Sequence, residues 1–285
     1  MRRLKSIERG KRPNAAHSAN APLRLIKRRR AKGVIQIEQT SILGKTALIT
    51  GGAKRIGREI ALTLARAGAN VVVHYRSSAH EAESLVTELR AIGIKAWSVQ
   101  ANFSDPDQVD RLLDEAARLA GPVNILINNA SAYPKTEFDT LTLEELISSI
   151  TVDAWAPFAL GRQFGRLPQA KHIINLIDTR VFGEYDWRHF GYHAAKNMLA
   201  LFTKTLAIKL APQVAVNAVA PGLILPPEGK PQSYIEGLKG ELPMQKIGSP
   251  DSIAQAVLFL LGSKFITGQV IFVDGGRHLR EAGRG

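Results

Sequence analysis

Residues 46–57 read Thr46-Ala47-Leu48-Ile49-Thr50-Gly51-Gly52-Ala53-Lys54-Arg55-Ile56-Gly57, a short apolar and β-branched run that enters a glycine turn and leaves it as a helical pattern. A strand apolar along its whole length belongs inside a parallel sheet, where both faces are covered. The same alternation repeats outward. Strands are expected at Thr46–Thr50, Asn70–Tyr75, Lys95–Gln100, Asn124–Asn128, His172–Leu176, Gln213–Ala218 and Gln269–Val273. Helices are expected at about Arg55–Ala67, Ala79–Ile92, Pro106–Leu119, Thr142–Phe164, Phe190–Leu210 and Pro250–Leu261. Repeated β-α-β units with right-handed crossovers predict an α/β fold, a doubly wound parallel sheet of Rossmann type. One such domain is expected over residues 41–285, its ordered part ending near Arg280. Ligands of such a sheet collect beyond the C-terminal ends of the strands, and the notable motifs lie there.

The 285 residues include 38 Lys and Arg against 25 Asp and Glu, a formal charge of +13, with 45% hydrophobic residues and no Cys. That apolar content is ample for a packed core and excludes a wholly disordered or collagen-like chain. Without Cys there are no disulfides, no thiolate nucleophiles and no Cys-dependent zinc sites, which suits a reducing cytosol. The charge is uneven: residues 1–40 hold 12 Lys and Arg but only Glu8 and Glu38, a net +10, and the rest carries +3. Runs such as Lys27-Arg28-Arg29-Arg30, with no apolar stretch of signal or membrane length, predict a disordered basic extension. Four readings of it stand: a solvated extension without a role, an upstream reading of the start codon, an arm for nucleic acid or an anionic surface, and an organelle transit peptide. Its poverty in Ser and weak amphipathic pattern count against the last.

At the glycine turn, Gly51 can take the tight backbone and Gly57 can let the helix approach the strand, while free N–H groups at the helix start, from Ile56 onward, can face a pyrophosphate. The second strand ends His74-Tyr75-Arg76-Ser77 without the acidic residue that would bind a ribose 2′-hydroxyl. Arg76 and Ser77, with Lys54, instead offer a cation and a hydroxyl to a 2′-phosphate. These motifs resemble the short-chain dehydrogenase/reductase family, whose first motif reads Thr-Gly-x-x-x-Gly-x-Gly. Arg55 replaces its middle glycine, a form similar to the pteridine reductase and dihydromonapterin reductase branch. The resemblance covers about Leu43–Arg280. It implies NADPH as cofactor, with Arg55 reaching both cofactor phosphate and the substrate edge. It further places Asn102 and Phe103 at the adenine, Asn129, Ala130 and Ser131 beside the ribose and pocket, and Pro221, Gly222 and Leu223 beside the nicotinamide.

Tyr192-His193-Ala194-Ala195-Lys196 puts Tyr192 and Lys196 on one helical face. An ammonium near a phenol stabilises the phenolate and lowers its pKa, which would fit Tyr192 for proton relay while Lys196 holds the nicotinamide ribose. Asp178 takes the place of the family's carbonyl-binding Ser, as in pteridine reductases; a carboxylate suits a C=N bond better than a developing oxyanion. Asp153 stands where the family has an Asn that anchors a relay water, with a helix-surface role as the alternative. Tyr133 and Trp187 are candidate aromatic walls for a flat heterocycle, with plain packing as the other reading. No His has metal-ligand spacing, and no metal is expected.

The resemblance thus implies reduction of a dihydropterin to the tetrahydro form. The alternatives are a carbonyl reductase acting on 3-oxoacyl thioesters or small ketones, and a non-catalytic dinucleotide-binding or nucleic-acid-associated protein using the basic extension. A homotetramer built on the helices about Thr142–Phe164 and Phe190–Leu210, and a lid over Leu225–Lys246, complete the expectation.

Overall fold

The computed structural model describes residues 42–183 and 186–279. The basic extension of residues 1–40 lies outside them, as does Arg280. Seven strands form one parallel sheet in the order β3-β2-β1-β4-β5-β6-β7. They are β1 (Thr46–Ile49), β2 (Asn70–Tyr75), β3 (Ala96–Gln100), β4 (Ile125–Asn128), β5 (His172–Leu176), β6 (Ala215–Pro221) and β7 (Val270–Val273). Helices α1 (Arg55–Arg66), α2 (Ala79–Ala91), α3 (Pro106–Ala120), α4 (Leu143–Ile150), α5 (Ala156–Phe164), α6 (Phe190–Leu210), α7 (Gln232–Glu236) and α8 (Pro250–Gly262) alternate with them.

Side-chain alternation along each strand sorts the core into two layers. Ala47, Ile49, Val71, Val73, Ile125 and Ile127 join the layer under α1, α2 and α8, while Leu48, Val72, Leu126 and Ile173 join that under α3, α5 and α6. Both faces are therefore dry, which is why these strands read as unbroken apolar runs. Local signals set several helix starts. Asp105 accepts from the Asp107 N–H (3.0 Å) ahead of Pro106, and Thr142 with Glu145 and Ser249 with Ser252 form reciprocal caps at α4 and α8.

Two segments differ from expectation. The single helix expected over Thr142–Phe164 is divided by a π-helical turn, Thr151–Trp155, between α4 and α5. An extra residue in a helical turn leaves no mark on apolar spacing over so short a stretch. Strand β6 runs to Pro221 rather than Ala218, because β7 pairs alongside Ala218–Pro221. The order of strands reverses between β1 and β4, so the crevice of the sheet opens where Thr50 and Asn129 leave it.

Candidate active site

The glycine turn is held from below by short polar contacts. Thr50 Oγ1 accepts from the Asn129 and Ala130 N–H groups, each at 3.0 Å. Asn129 Nδ2 donates to the Thr50 and Gly51 carbonyls, both at 3.0 Å. The Gly51 N–H donates to His74 Nδ1 (3.0 Å), and the opposite His74 nitrogen donates to the Ala101 carbonyl (3.0 Å). One buried imidazole thus ties the exits of β1, β2 and β3; burial lowers its pKa to about 4 and keeps it neutral. Phe103 stacks on it with ring centroids 4.6 Å apart, so its side chain braces the turn from within. Sequence reading passed over Thr50 and His74, since the contacts that give them their roles are remote in the chain.

Gly51 has φ +60°, and a Cβ on Gly57 would sit 2.3 Å from the Gly51 carbonyl oxygen. Only glycine permits that approach. The start of α1 has neither a side-chain cap nor an acidic residue in its first turn. A dinucleotide pyrophosphate fits such an end, where N–H groups and helix dipole favour an anion. Lys54 and Arg55 lie exposed in this turn, with the Lys54 ammonium 3.3 Å from Glu81. Ile56, beside them, packs partly against the core under α1. Arg55 holds φ +56° and donates to the Pro226 carbonyl (2.6 Å), which joins the turn to the segment after β6. At the end of β2, Tyr75 is half-buried, and Arg76 and Ser77 are exposed. Asn102 Oδ1 accepts from the Ser104 N–H (3.2 Å), so its carbonyl serves a local turn and keeps one lone pair. Pro221 ends β6; a Cβ on Gly222 would lie 2.6 Å from Asp274 Cα, and the Leu223 carbonyl accepts from the Gly248 N–H (3.0 Å).

Beyond β4 and β5 the polar groups converge. The Tyr192 hydroxyl donates to Asp178 Oδ2 (3.2 Å), and Asp178 Oδ1 accepts from the Arg180 N–H (2.8 Å). One carboxylate thus both caps a turn and faces the phenol. Lys196, 2% exposed, donates to the Leu176 carbonyl (3.0 Å) and lies 3.2 Å from Asp153 Oδ1. Asp153 is wholly buried in the π turn and also accepts from the Ser131 hydroxyl and the Ala132 N–H (3.2 Å). The helix-surface role is thereby excluded. The close approach of α6 to α4 that sets this spacing depends on Gly191, where a Cβ would meet Ser149 Oγ at 2.8 Å.

The expected lowering of the Tyr192 pKa is reversed. Burial first, then the Asp178 and Asp153 carboxylates, push the phenol well above its usual value. The ammonium that was to stabilise a phenolate is engaged by Asp153 and Leu176 instead.

Tyr133 sits edge-to-face with Tyr192 (4.7 Å), stacks on His189 (3.8 Å) and reaches Asp186 with its hydroxyl (3.4 Å). Burial and the Asp186 carboxylate push its phenol up to about 12. His189 thus occupies one of its faces, which restricts the wall it was expected to form. Trp187 belongs to an exposed cluster with Phe138 and Phe190 (centroids 5.3 and 6.3 Å). Asp186, which sequence reading missed, also binds the Arg180 guanidinium (2.9 Å) and organises this loop. Under the site, Asn128 donates to Asn175 (2.8 Å) and Asn175 to Thr203 (2.9 Å). His193 is buried, with no hydrogen-bond partner for either ring nitrogen among the described residues. No cluster of His, Asp and Glu among those residues could hold a metal ion, and no helix among them is long and apolar enough to cross a membrane.

A glycine turn at the switch point of a parallel sheet, with a Tyr and Lys on the helix after β5, defines a dinucleotide-dependent reductase fold. Residues 51–278 match the family model described as enoyl-(acyl carrier protein) reductase, and the chain belongs to the short-chain dehydrogenase/reductase family. Trihydroxynaphthalene reductase of Colletotrichum orbiculare is 30% identical over 85% of this chain and 93% of its own length. A 3-oxoacyl-[acyl-carrier-protein] reductase of Synechocystis is 34% identical over 83% of this chain and 98% of its own. Among solved structures, FolM alternative dihydrofolate reductase 1 of Brucella canis, complexed with NADP, is 31% identical with a TM-score of 0.79, covering 86% of this chain and 98% of its own.

Proposed function

We propose that the protein is an NADPH-dependent reductase that converts a dihydropterin to its tetrahydro form. The observation that carries this reading is the Tyr192–Asp178 hydrogen bond at the exit of β5. A carboxylate there repels the oxyanion of ketone reduction, whereas a carboxylate and phenol together can hold a proton for a ring nitrogen. The likeness to the Brucella FolM reductase supports the same reading. The 3-oxoacyl-[acyl-carrier-protein] reductase relatives favour the second reading, a carbonyl reductase acting on acyl thioesters.

On the proposed reading, Lys54, Arg55, Arg76 and Ser77 take the cofactor phosphates, and the start of α1, from Ile56 to Gly57, faces the pyrophosphate. Tyr75 contributes to cofactor binding, and Asn102 with the Phe103 backbone lies at the adenine end; Asn129, Ala130 and Ser131 flank the ribose, and Pro221, Gly222 and Leu223 border the nicotinamide. The bound cofactor supplies a hydride to C6 of the dihydropterin. Tyr192 and Asp178 supply the proton at N5, and Lys196, Asp153 and Ser131 form the polar chain behind them. Arg55, Ser131, Tyr133 and Trp187 are assigned to the substrate side, with the segment after β6 as the lid. A homotetramer through α4 and α6 is part of the proposal; the exposed Leu143, Ile147, Leu201 and Ile208 on those helices fit it.

The test is NADPH oxidation at 340 nm with dihydromonapterin, dihydrobiopterin, dihydrofolate and an acetoacetyl thioester side by side. Turnover of a dihydropterin is expected. Turnover of the thioester alone would establish the second reading, and no turnover at all would return the protein to the binding class.

A further inference from the structure

We propose that Asp153 is a positioning residue: it holds the Lys196 ammonium in a buried ion pair so that Tyr192 serves the reaction as a proton donor rather than as a phenolate. The π turn is what turns Asp153 inward, and its two oxygens face the Lys196 ammonium, the Ser131 hydroxyl and the Ala132 N–H. Burial pushes the Asp153 carboxyl above its usual range, against the pull of the Lys196 ammonium, the Ser131 hydroxyl and the Ala132 N–H; an ammonium and a backbone N–H can only donate, so this shell serves the ionised carboxylate. Among the described residues, the ammonium's polar partners are Asp153 and the Leu176 carbonyl. It approaches Tyr192 over the ring face, 5.6 Å from the centroid.

The groups around the Tyr192 hydroxyl come from every neighbouring element. Asp178 faces it from the end of β5, Asp153 from the π turn, Tyr133 from the segment after β4, and Lys196 and His193 lie on α6 itself. His193 is held neutral by its burial. Two carboxylates against one ammonium leave a net negative surrounding, which opposes a second anion on the phenol. With a neutral amide at position 153, one carboxylate and one ammonium would balance, and the ammonium would be released toward the phenol.

The test uses the full-length protein without substrate, so a failed reductase assay leaves it intact. The ionisation of Tyr192 is followed by tyrosine-Cζ 13C NMR in wild type, Asp153→Asn and, for assignment, Tyr192→Phe. In wild type Tyr192 should ionise above the free value of ~10, and Asp153→Asn should lower that midpoint by about one pH unit or more. The alkaline limb of kcat for reduction should move by the same amount. Thermal melting and NADPH affinity report whether the variant keeps its fold. Equal midpoints in the two folded proteins would overturn the proposal. Should Asp153→Asn fail to fold, the wild-type titration decides alone: a midpoint below ~10 refutes it.

Discussion

Arg55 holds a left-handed backbone, φ +56°, that costs an L-residue about 1–2 kcal/mol relative to glycine. The resemblance located this position as a missing glycine; what it could not reveal was that the turn keeps glycine geometry and that the guanidinium reaches Pro226. Arg55→Gly is therefore expected to raise the melting temperature slightly while raising KM for NADPH and substrate, measured by calorimetry and steady-state kinetics. A fall in both melting temperature and KM would contradict this. Gly51, Gly57, Tyr192 and Lys196 were legible because a glycine turn and an i, i+4 pair are local signals, whereas Asp178 was picked out through the family resemblance alone. Thr50, His74 and Asp186 were not, because each acts through partners that the chain brings together only on folding.

At the scale of the element, the strands and most helix boundaries were readable from apolar runs alternating with helical patterns, but the π turn was not. The position of Asp153 depends on it, and so does the choice between a surface and a buried carboxylate. The glycine turn carries a sharper expectation. Gly57→Ala places a methyl 2.3 Å from the Gly51 carbonyl oxygen and 2.6 Å from Asn129 Nδ2. The turn must open, at a cost of about 1–3 kcal/mol. NADPH affinity measured by fluorescence titration should fall sharply, with α1 still helical by circular dichroism. Unchanged affinity would show that the cofactor does not rest on this turn.

For the whole molecule, buried histidines contribute to acid sensitivity, His74 and His172 among them. Burial lowers His74 and His172 to about 4 from 6.5, so between those values the unfolded chain binds more protons than the folded one. Each neutral ring contributes about 3 kcal/mol of stability above pH 6.5, and this is lost as pH falls toward 4. Urea unfolding across that range should show the decline, and His74→Gln should flatten it. The net +10 of residues 1–40 accounts for most of the +13 of the chain. On the proposed reading its removal leaves kcat/KM for reduction unchanged, and a large loss would assign that segment a part in the reaction.

The central claim rests on Asp178, and Asp178→Ser tests it most directly. Wild type and variant are compared for kcat/KM with a dihydropterin and with an acetoacetyl thioester, alongside NADPH affinity. Loss of the carboxylate that orients the Tyr192 hydroxyl for proton transfer should cost dihydropterin reduction about 100-fold or more, with cofactor affinity kept. An unchanged rate of dihydropterin reduction in the folded variant would contradict the account.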